Sequence, residues 1–257
     1  MVLSGLDPRI VDEKRSGPRP LVAVGEALYA PPASGSRRAW LAWLHVDPSE
    51  RRRGRGAAAL DAVVARARRD GATELMVGGP PGNYCVSGVD LADGEALGFF
   101  ARRGFVERSR AVDLTVETVC SPLDPRVSPT DDVGVATWVA SVFGEAWGRE
   151  AEAARLRGGL YEARVDGERV GFAAHSGNNA ALGSFGPVGV APSARGSGLG
   201  VALSAAALDG LRARGFATCT VPWVAPETVD FYARRWRVRA AVTRALLRGE
   251  LTRRGSP

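Results

Sequence analysis

Short apolar runs alternate with amphipathic runs of helical spacing along this 257-residue chain, and the order of the runs occurs twice. In the first half, β-branched and aromatic stretches bounded by Gly and Pro predict strands, and apolar residues at three- and four-residue spacing predict helices. The predicted strands are 21–28, 39–46, 74–77 and 105–119, and the predicted helices are 57–69 and 95–103.

The second half repeats this order behind two additional helical runs. The predicted helices are 132–147, 149–157, 199–214 and 227–235, and the predicted strands are 160–165, 169–176, 182–190, 217–224 and 238–251. The two leading helical runs have no counterpart before residue 21. The pattern therefore predicts that the first half is truncated at its N-terminus.

A glycine-rich phrase stands at the same place in both halves, between a strand and a helix. Residues 46–56 read VDPSERRRGRG and residues 190–200 read VAPSARGSGLG. The offset is constant, since 190 − 46 and 200 − 56 are both 144, and it continues from Gly71 to Gly215. An offset of this length is typical of a duplicated domain rather than of a solenoid repeat.

Arg-x-x-Gly-x-Gly at the start of a helix favours phosphate binding. The first helical N–H groups are bare, the helix end is positive, and glycine lets a phosphate approach. A plain glycine-rich turn with an exposed arginine is the alternative, and two copies in register favour the phosphate site. The predicted site residues are Val46, Arg51, Arg52, Arg53, Gly54, Arg55 and Gly56 in the first copy, and Val188, Val190, Arg195, Gly196, Ser197, Gly198, Leu199 and Gly200 in the second.

These motifs together resemble the GCN5-related N-acetyltransferase (GNAT) family. The glycine phrase, a long helix and a strand are followed by a helix with Phe-Phe-Ala-Arg-Arg at 99–103 or Phe-Tyr-Ala-Arg-Arg at 231–235. The resemblance covers about 20–120 and 130–253. It implies an α/β fold of two fused acetyltransferase domains, 1–120 and 121–257. Each would be a mixed, mostly antiparallel sheet, splayed at its centre and flanked by helices, with acetyl-CoA in the splay.

The resemblance also implies which half is catalytic. A tyrosine on the helix after the fifth strand often supplies the acid that meets the leaving thiolate, and the matching residues are Tyr232 and Phe100 (232 − 100 = 132). Since a phenyl ring cannot donate a proton, we expect the C-terminal half to be active. The first half would bind CoA weakly, bind it structurally, or buttress its neighbour. The alternatives for Tyr232 are a core aromatic residue, or replacement of its role by water.

The general base is less evident, because the strand 182–190 carries no carboxylate where many family members have one. His175 is the first candidate because its intrinsic pKa suits the role, although a lone strand histidine is more often structural. Glu162 and Glu227 are the others, and His45 lies beside the first glycine phrase. The missing carboxylate keeps a non-catalytic acetyl-CoA-binding, sensing or scaffold protein as the alternative function.

Two further segments have both a functional and a structural interpretation. Residues 78–90 resemble a loop of some tandem family members that could reach the other half's acceptor pocket; otherwise they form a surface loop. Trp223 follows the fifth strand of the second half and would stack on an acceptor, or it is a buried interface residue.

Composition narrows the class of protein. The 45% hydrophobic and 24% charged content is that of an ordinary globular protein. Net charge is +6, but Lys14 is the only lysine and the arginines are dispersed among carboxylates, which disfavours nucleic-acid binding.

The remaining expectations concern partners and location. Three cysteines lack metal-ligand spacing, and no apolar run reaches membrane-spanning length. The N-terminus lacks the apolar core of a signal peptide, so we expect a cytoplasmic protein. We also expect a monomer or homodimer, without a metal. Its acceptor would be an amine of a small molecule or a peptide.

Overall fold

The two copies of the repeat correspond to two compact units in the computed structural model, which describes residues 5–16 and 20–251. Unit 1 comprises the chain up to Val112 together with the residues from Val242 onward, and unit 2 comprises Asp113–Ala241. This division differs from the 120/121 boundary predicted from the repeat. Two long strands, β6 (Val106–Glu117) and β12 (Val238–Glu250), each have residues in both units.

Unit 1 is built from strands, one helix of 15 residues and two shorter helices of 9 and 8 residues. Its elements are α1 (Pro8–Ser16), β1 (Val22–Val24), β2 (Ala27–Ala30), β3 (Arg38–Leu44), α2 (Arg55–Arg69), β4 (Glu74–Val77), β5 (Val89–Asp90) and α3 (Gly94–Ala101). The predicted strand 21–28 is a hairpin instead, because Gly25 takes a positive φ of 57° and reverses the chain. The sequence did not predict α1, so this half has one nine-residue helix before its first strand.

Unit 2 has two helices in front of its strands, as predicted. Its elements are β7 (Val127–Pro129), α4 (Val133–Phe143), α5 (Glu145–Leu156), β8 (Leu160–Val165), β9 (Glu168–His175), β10 (Phe185–Val190), α6 (Leu199–Ala213), β11 (Thr218–Val224) and α7 (Val229–Ala233). The break between the helices is at Gly144, with φ 101°, rather than near residue 148. The side chain of Asp132 caps α4 by accepting from the Gly134 N–H at 2.8 Å.

The last strand of the chain was expected to close the sheet of the second half, and its final residues instead belong to unit 1. Leu247 pairs with Val77 and Ala245 with Val89, both antiparallel. The apolar pattern explains this pairing, because Ala245, Leu247 and Leu251 join the buried core of unit 1. In unit 2, β6 is the neighbour of β11.

The sheet of unit 1 is mixed, as the resemblance implies, whereas the four-stranded sheet of unit 2 is antiparallel. In unit 1, β3 and β4 are parallel, with Leu41 opposite Val77, whereas β1, β2 and β3 are antiparallel neighbours. In unit 2, the order β10-β9-β8-β7 is antiparallel throughout, and α4 and α5 pack their apolar residues against Leu160 and Phe172. Among the described residues, no helix is long and apolar enough to cross a membrane.

Candidate functional site

The first glycine phrase forms a tight loop between β3 and α2. A 3₁₀ turn at Pro48–Glu50 is capped by the Asp47 carboxylate, which accepts from the Ser49 N–H at 2.9 Å. Gly54 then takes a left-handed conformation, with φ 81° and ψ −6°, and α2 begins without a side-chain cap. The first N–H groups of the helix are therefore left for a ligand.

The second phrase has the same geometry between β10 and α6. Pro192–Ala194 is again a 3₁₀ turn, Gly198 has φ 83° and ψ −8°, and α6 has no side-chain cap. A Cβ atom built on either Gly54 or Gly198 would meet nothing within 4 Å. These residues therefore do not need to be glycine for packing, which fits a loop whose open side receives a bulky anion.

The first arginine of each phrase, predicted as a site residue, makes the same contact in both loops. Arg51 Nε donates to the Val46 carbonyl at 3.1 Å, and Arg195 Nε donates to the Val190 carbonyl at 3.2 Å. Each arginine thus ties its loop back to the strand that precedes it.

The charges around the two loops differ. In the first, Glu50 accepts from Arg53 and Arg55 at 3.1 Å, and Glu95 lies 3.3 Å from Arg52. In the second, residues 194, 197 and 199 are Ala, Ser and Leu, so these pairs have no equivalent.

The second loop has an arginine neighbour that sequence reasoning missed. Arg126 donates to the Ser197 carbonyl at 3.3 Å from the segment that precedes β7. Its hydrogen bonds to Asp124 lower the pKa of that carboxyl to about 2. No local pattern marks such a residue, because its approach to the loop depends on the fold.

Each unit has a splayed sheet beside its loop. The pairing of β3 with β4 ends at Leu41 and Val77, and β10 and β11 are joined by an isolated parallel bridge between Ser184 and Thr220. The register also shifts at corresponding places, between Leu28 and Tyr29 on β2 in unit 1 and between Phe185 and Val188 on β10 in unit 2. Bulges of this kind turn backbone groups toward a cleft.

An open cleft of about 640 Å³ follows the first loop. Loop residues from Val46 to Gly56 form one side, and residues 93–103 of the α3 region form the other, with His45 and Phe100 also in its lining. The cleft thus joins the bare helix N-terminus to the aromatic residue that corresponds to Tyr232.

Tyr232 is 5% exposed and lies within an aromatic cluster on α7. Its ring is edge-on to Phe185, with centroids 6.2 Å apart, and also contacts Phe231 and Trp236. Burial raises the pKa of its hydroxyl group, so Tyr232 is a neutral proton donor at physiological pH. Within the described part of the chain, that hydroxyl group makes no hydrogen bond.

The two α-helices that carry Tyr232 and Phe100 pack alike. Arg235 lies over the Phe231 ring at 4.8 Å, and Arg103 lies over the Phe99 ring at 4.6 Å. The offset of 132 residues between the helices is therefore structural as well as sequential. Phe100 and Tyr232 occupy equivalent positions, and only Tyr232 has a titratable group.

His175 does not lie where an acceptor can reach it. The side chain is fully buried between Tyr161 and Gly210, and Nδ1 is 3.0 Å from Ser176 Oγ. Burial lowers the pKa of His175 to about 4, so the ring is neutral. The position of the ring against α6 explains why an expectation based on pKa alone fails here.

The two glutamates are no better placed as bases. Glu162 is buried and accepts from Arg169 Nε at 2.8 Å and Arg164 at 3.2 Å. Glu227 corresponds to Glu95, since 227 − 95 is 132, and Glu95 lies beside the arginines of the first loop. By this correspondence we expect Glu227 to lie near the second loop.

Aromatic side chains cover β10 at the bend between α4 and α5. A Cβ atom on Gly189 would lie 2.8 Å from the Phe143 ring and 2.9 Å from Phe172. Phe143 also stacks on Trp147, whose side chain is exposed, at 5.5 Å. The bend therefore presents an apolar wall next to the strand that leads into the second loop.

Residues 78–90 are not a plain surface loop. Tyr84, Cys85 and Ser87 are buried, and the Asn83 amide donates to the Lys14 carbonyl at 3.0 Å. A Cβ atom on Gly78 would lie 2.9 Å from the Ser87 carbonyl oxygen. The loop thus folds back onto the end of β4 within unit 1.

The cysteines and acidic side chains provide no metal centre among the described residues. Cys85 and Cys219 are buried and Cys120 is exposed, and all three are free thiols. Burial raises the pKa of Cys219 to about 12, which keeps this thiol inert within β11.

Comparison with protein-family models gives a match to the acetyltransferase (GNAT) family over residues 14–105 and again over 133–235. The predicted tandem resemblance is confirmed by these two segments. A search of curated proteins finds no match.

Solved structures show the same fold at low sequence identity. A GCN5-related glucosamine N-acetyltransferase region in a fungal multi-domain β-N-acetylglucosaminidase is 21% identical, with a TM-score of 0.67, and the match covers 90% of this chain and 31% of that one. A tandem GNAT protein from the clavulanic acid biosynthesis pathway is 18% identical, with a TM-score of 0.65. The match covers 95% of this chain and 87% of that one. A GCN5-related N-acetyltransferase from Kribbella flavida is 19% identical, with a TM-score of 0.60. The match covers 93% of this chain and 94% of that one.

Proposed function

Since this chain belongs to the GNAT acetyltransferase family, we propose that it transfers the acetyl group of acetyl-CoA to an amine and that unit 2 carries out the chemistry. The observation that supports this assignment is Tyr232, a buried neutral phenol packed against Phe185 at the splay of unit 2. Unit 1 has Phe100 at the equivalent position. The two units therefore share a cofactor loop but differ in the proton donor.

The second loop would hold the diphosphate of acetyl-CoA. Bare N–H groups at the start of α6 point toward an anion, and the positive end of the helix favours it. Gly196 and Gly198 keep the loop in left-handed conformations, while Arg195 ties it to β10. Ser197, Leu199 and Gly200 complete this loop, and Val188 and Val190 lead into it. The residues present thus fit the cofactor of the family.

The chemistry requires one proton to be donated and another to be removed. When bound, acetyl-CoA supplies an activated acyl group as a thioester, with a thiolate as its leaving group. Tyr232 would hold its hydroxyl proton against the sulfur position, because burial keeps the phenol neutral. None of His175, Glu162 and Glu227 is placed to take the ammonium proton, so we assign that step to water rather than to a side chain.

The first loop would be a second site for the same cofactor without chemistry. Its backbone geometry matches the second loop, and the adjoining cleft has room for a ligand of this class. Glu50 and Glu95 pair with Arg51, Arg52, Arg53 and Arg55, so two negative charges offset only part of the four positive ones. The first loop therefore keeps a net positive charge that favours an anion, and we expect no chemistry in unit 1 because Phe100 stands in place of Tyr232.

Thiol release from acetyl-CoA in the presence of a panel of small-molecule and peptide amines tests the activity. An acceptor-dependent thiol signal supports the transferase. Stabilisation by acetyl-CoA without thiol release would favour the second candidate, a non-catalytic acetyl-CoA-binding or sensing protein, which the absence of a carboxylate base motivates. Saturating ligand raises the free energy of unfolding by about 2.7 kcal/mol at 100 times Kd. If acetyl-CoA neither releases thiol nor stabilises the protein, both candidate functions are contradicted.

A further inference from the structure

At the end of the parallel ladder next to the splay, unit 1 has a hydrogen bond that unit 2 lacks. In unit 1, Trp40 pairs with Met76 and Leu41 with Val77, and the next N–H along the chain, that of Gly78, donates to the Leu41 carbonyl at 3.1 Å. The ladder of unit 1 therefore continues one residue past β4.

The ladder of unit 2 stops earlier. The bridge joins Ser184 and Thr220, which correspond to Trp40 and Met76 by the offset of 144, and the Thr220 N–H donates to the Gly183 carbonyl at 3.0 Å. The next donor would be residue 222, the counterpart of Gly78 (222 − 78 = 144). That residue is proline, which has no N–H to donate.

The carbonyl that lacks this donor faces the splay. The Ser184 carbonyl accepts from the Ser176 N–H at 2.8 Å and therefore points toward the β9 side of β10. Because successive backbone groups of a strand point to opposite sides, the Phe185 carbonyl points toward β11 and Pro222. Phe185 is also the residue whose ring contacts Tyr232.

We propose that Pro222 is a positioning residue that holds the splay of unit 2 open beside Phe185, so that the Phe185 carbonyl stays available for an N–H group of the bound acyl-CoA. This inference rests on the proposed function. It makes a single residue type responsible for the missing hydrogen bond at this position, since Gly78 donates the equivalent one in unit 1. The conformations agree with these roles, because Gly78 has φ 122°, which proline cannot adopt.

Replacing Pro222 with Ala provides the missing N–H group, which should form a hydrogen bond to the Phe185 carbonyl. Hydrogen exchange of the new amide at position 222, followed in the full-length protein, should be slowed at least about tenfold relative to an exposed amide, because it bonds to the Phe185 carbonyl. Affinity for acetyl-CoA should fall about tenfold, since each 1.4 kcal/mol of lost interaction is one decade. Pro129→Ala is the matched control, because Pro129 is an exposed proline on edge strand β7 of the same unit.

The readouts separate this inference from the function on which it rests. Fast exchange at position 222, or a protected amide with unchanged acetyl-CoA affinity, overturns the inference. Pro222→Gly provides the same N–H group with a freer backbone. If neither variant folds, the inference is also overturned, because an N–H group that bonds to the Phe185 carbonyl should not prevent folding. If the unaltered protein does not bind acetyl-CoA, the proposed function fails. Slow hydrogen exchange of the amide at position 222 would still show that the hydrogen bond to the Phe185 carbonyl forms.

Discussion

The ring of Tyr232 lies nearly perpendicular to the ring of Phe185, with an interplanar angle of 80° and 6.2 Å between the centroids. This contact brings the end of α7 to the point where β10 leaves β11, so the phenol stands at the splay of unit 2. In unit 1 the equivalent ring, Phe100, instead contacts Phe99 and Phe105, at 5.2 and 5.4 Å. The same scaffold therefore carries a phenol hydroxyl group in one unit and a hydrocarbon ring in the other.

Tyr232→Phe should lower kcat with little change in affinity for acetyl-CoA. Removal of a general acid costs about 10²- to 10⁴-fold in rate, and the substitution keeps the ring that packs against Phe185. Steady-state thiol release and equilibrium binding of acetyl-CoA measure the two effects. Tyr161→Phe is the control, since it removes a hydroxyl group from another buried tyrosine of unit 2. An unchanged kcat would remove Tyr232 from the mechanism.

Gly198→Asp and Gly54→Asp form a matched pair that tests which loop serves catalysis. Both glycines are left-handed and both have open space around the Cβ position, so the carboxylates are sterically equivalent. At Gly198 the carboxylate should repel the diphosphate and raise the KM for acetyl-CoA by about tenfold or more, which corresponds to 1.4 kcal/mol. Gly54→Asp should leave KM unchanged. The reverse result would assign the chemistry to unit 1.

His175→Gln should change the pH dependence of stability rather than catalysis. Since burial lowers the pKa of His175 from 6.5 to about 4, the unfolded chain binds more protons between these values. Stability should therefore be fully present above pH 6.5 and fall as the pH drops toward 4, by on the order of 3 kcal/mol from this group.

Denaturant unfolding at a series of pH values checks this expectation. The His175→Gln variant should show a flatter profile between pH 4 and 6.5, and His45→Gln, at the other histidine of the chain, should retain the full slope. Thiol release at pH 8 should stay within a few-fold of the unaltered protein. A loss of about 10²-fold or more there would restore His175 as the base.

Arg52→Gly should relieve backbone strain in the first loop. Arg52 has a positive φ of 62°, whereas its counterpart in the second loop is Gly196, with φ 79°. A left-handed non-glycine residue costs about 1–2 kcal/mol. Loss of the exposed ion pair with Glu95 offsets at most about 1 kcal/mol of this gain, and the entropy that glycine adds to the unfolded chain offsets about 0.4–1 kcal/mol more. We therefore expect a free energy of unfolding close to that of the unaltered protein, and about 1–2 kcal/mol above that of a glycine variant at a position without a positive φ.

Thermal and denaturant unfolding measure the effect at Arg52. Arg53→Gly is the control in the same loop, since Arg53 lacks a positive φ and also pairs with a glutamate. That variant should be destabilised, because glycine adds entropy to the unfolded chain. Equal stability of the two variants would contradict the strain argument.

The sequence determined the local structure of the two glycine-rich loops. Glycine at 54 and 198 permits the left-handed conformation and proline at 48 and 192 fixes φ, so the repeat was visible from residue types and spacing. The helices and most strands followed for the same reason, since amphipathic spacing is a local property. The difference between Tyr232 and Phe100 was likewise readable from the offset of the repeat.

Tertiary structure decided what each side chain meets. The sequence could not show that His175 is buried against Gly210, that Arg51 and Arg195 bond to strand carbonyls, or that Arg126 reaches the second loop. It also could not place the end of β12 beside β4. These outcomes depend on pairing and burial between segments far apart in the chain, where several partners are compatible with one apolar pattern and the complete core selects among them.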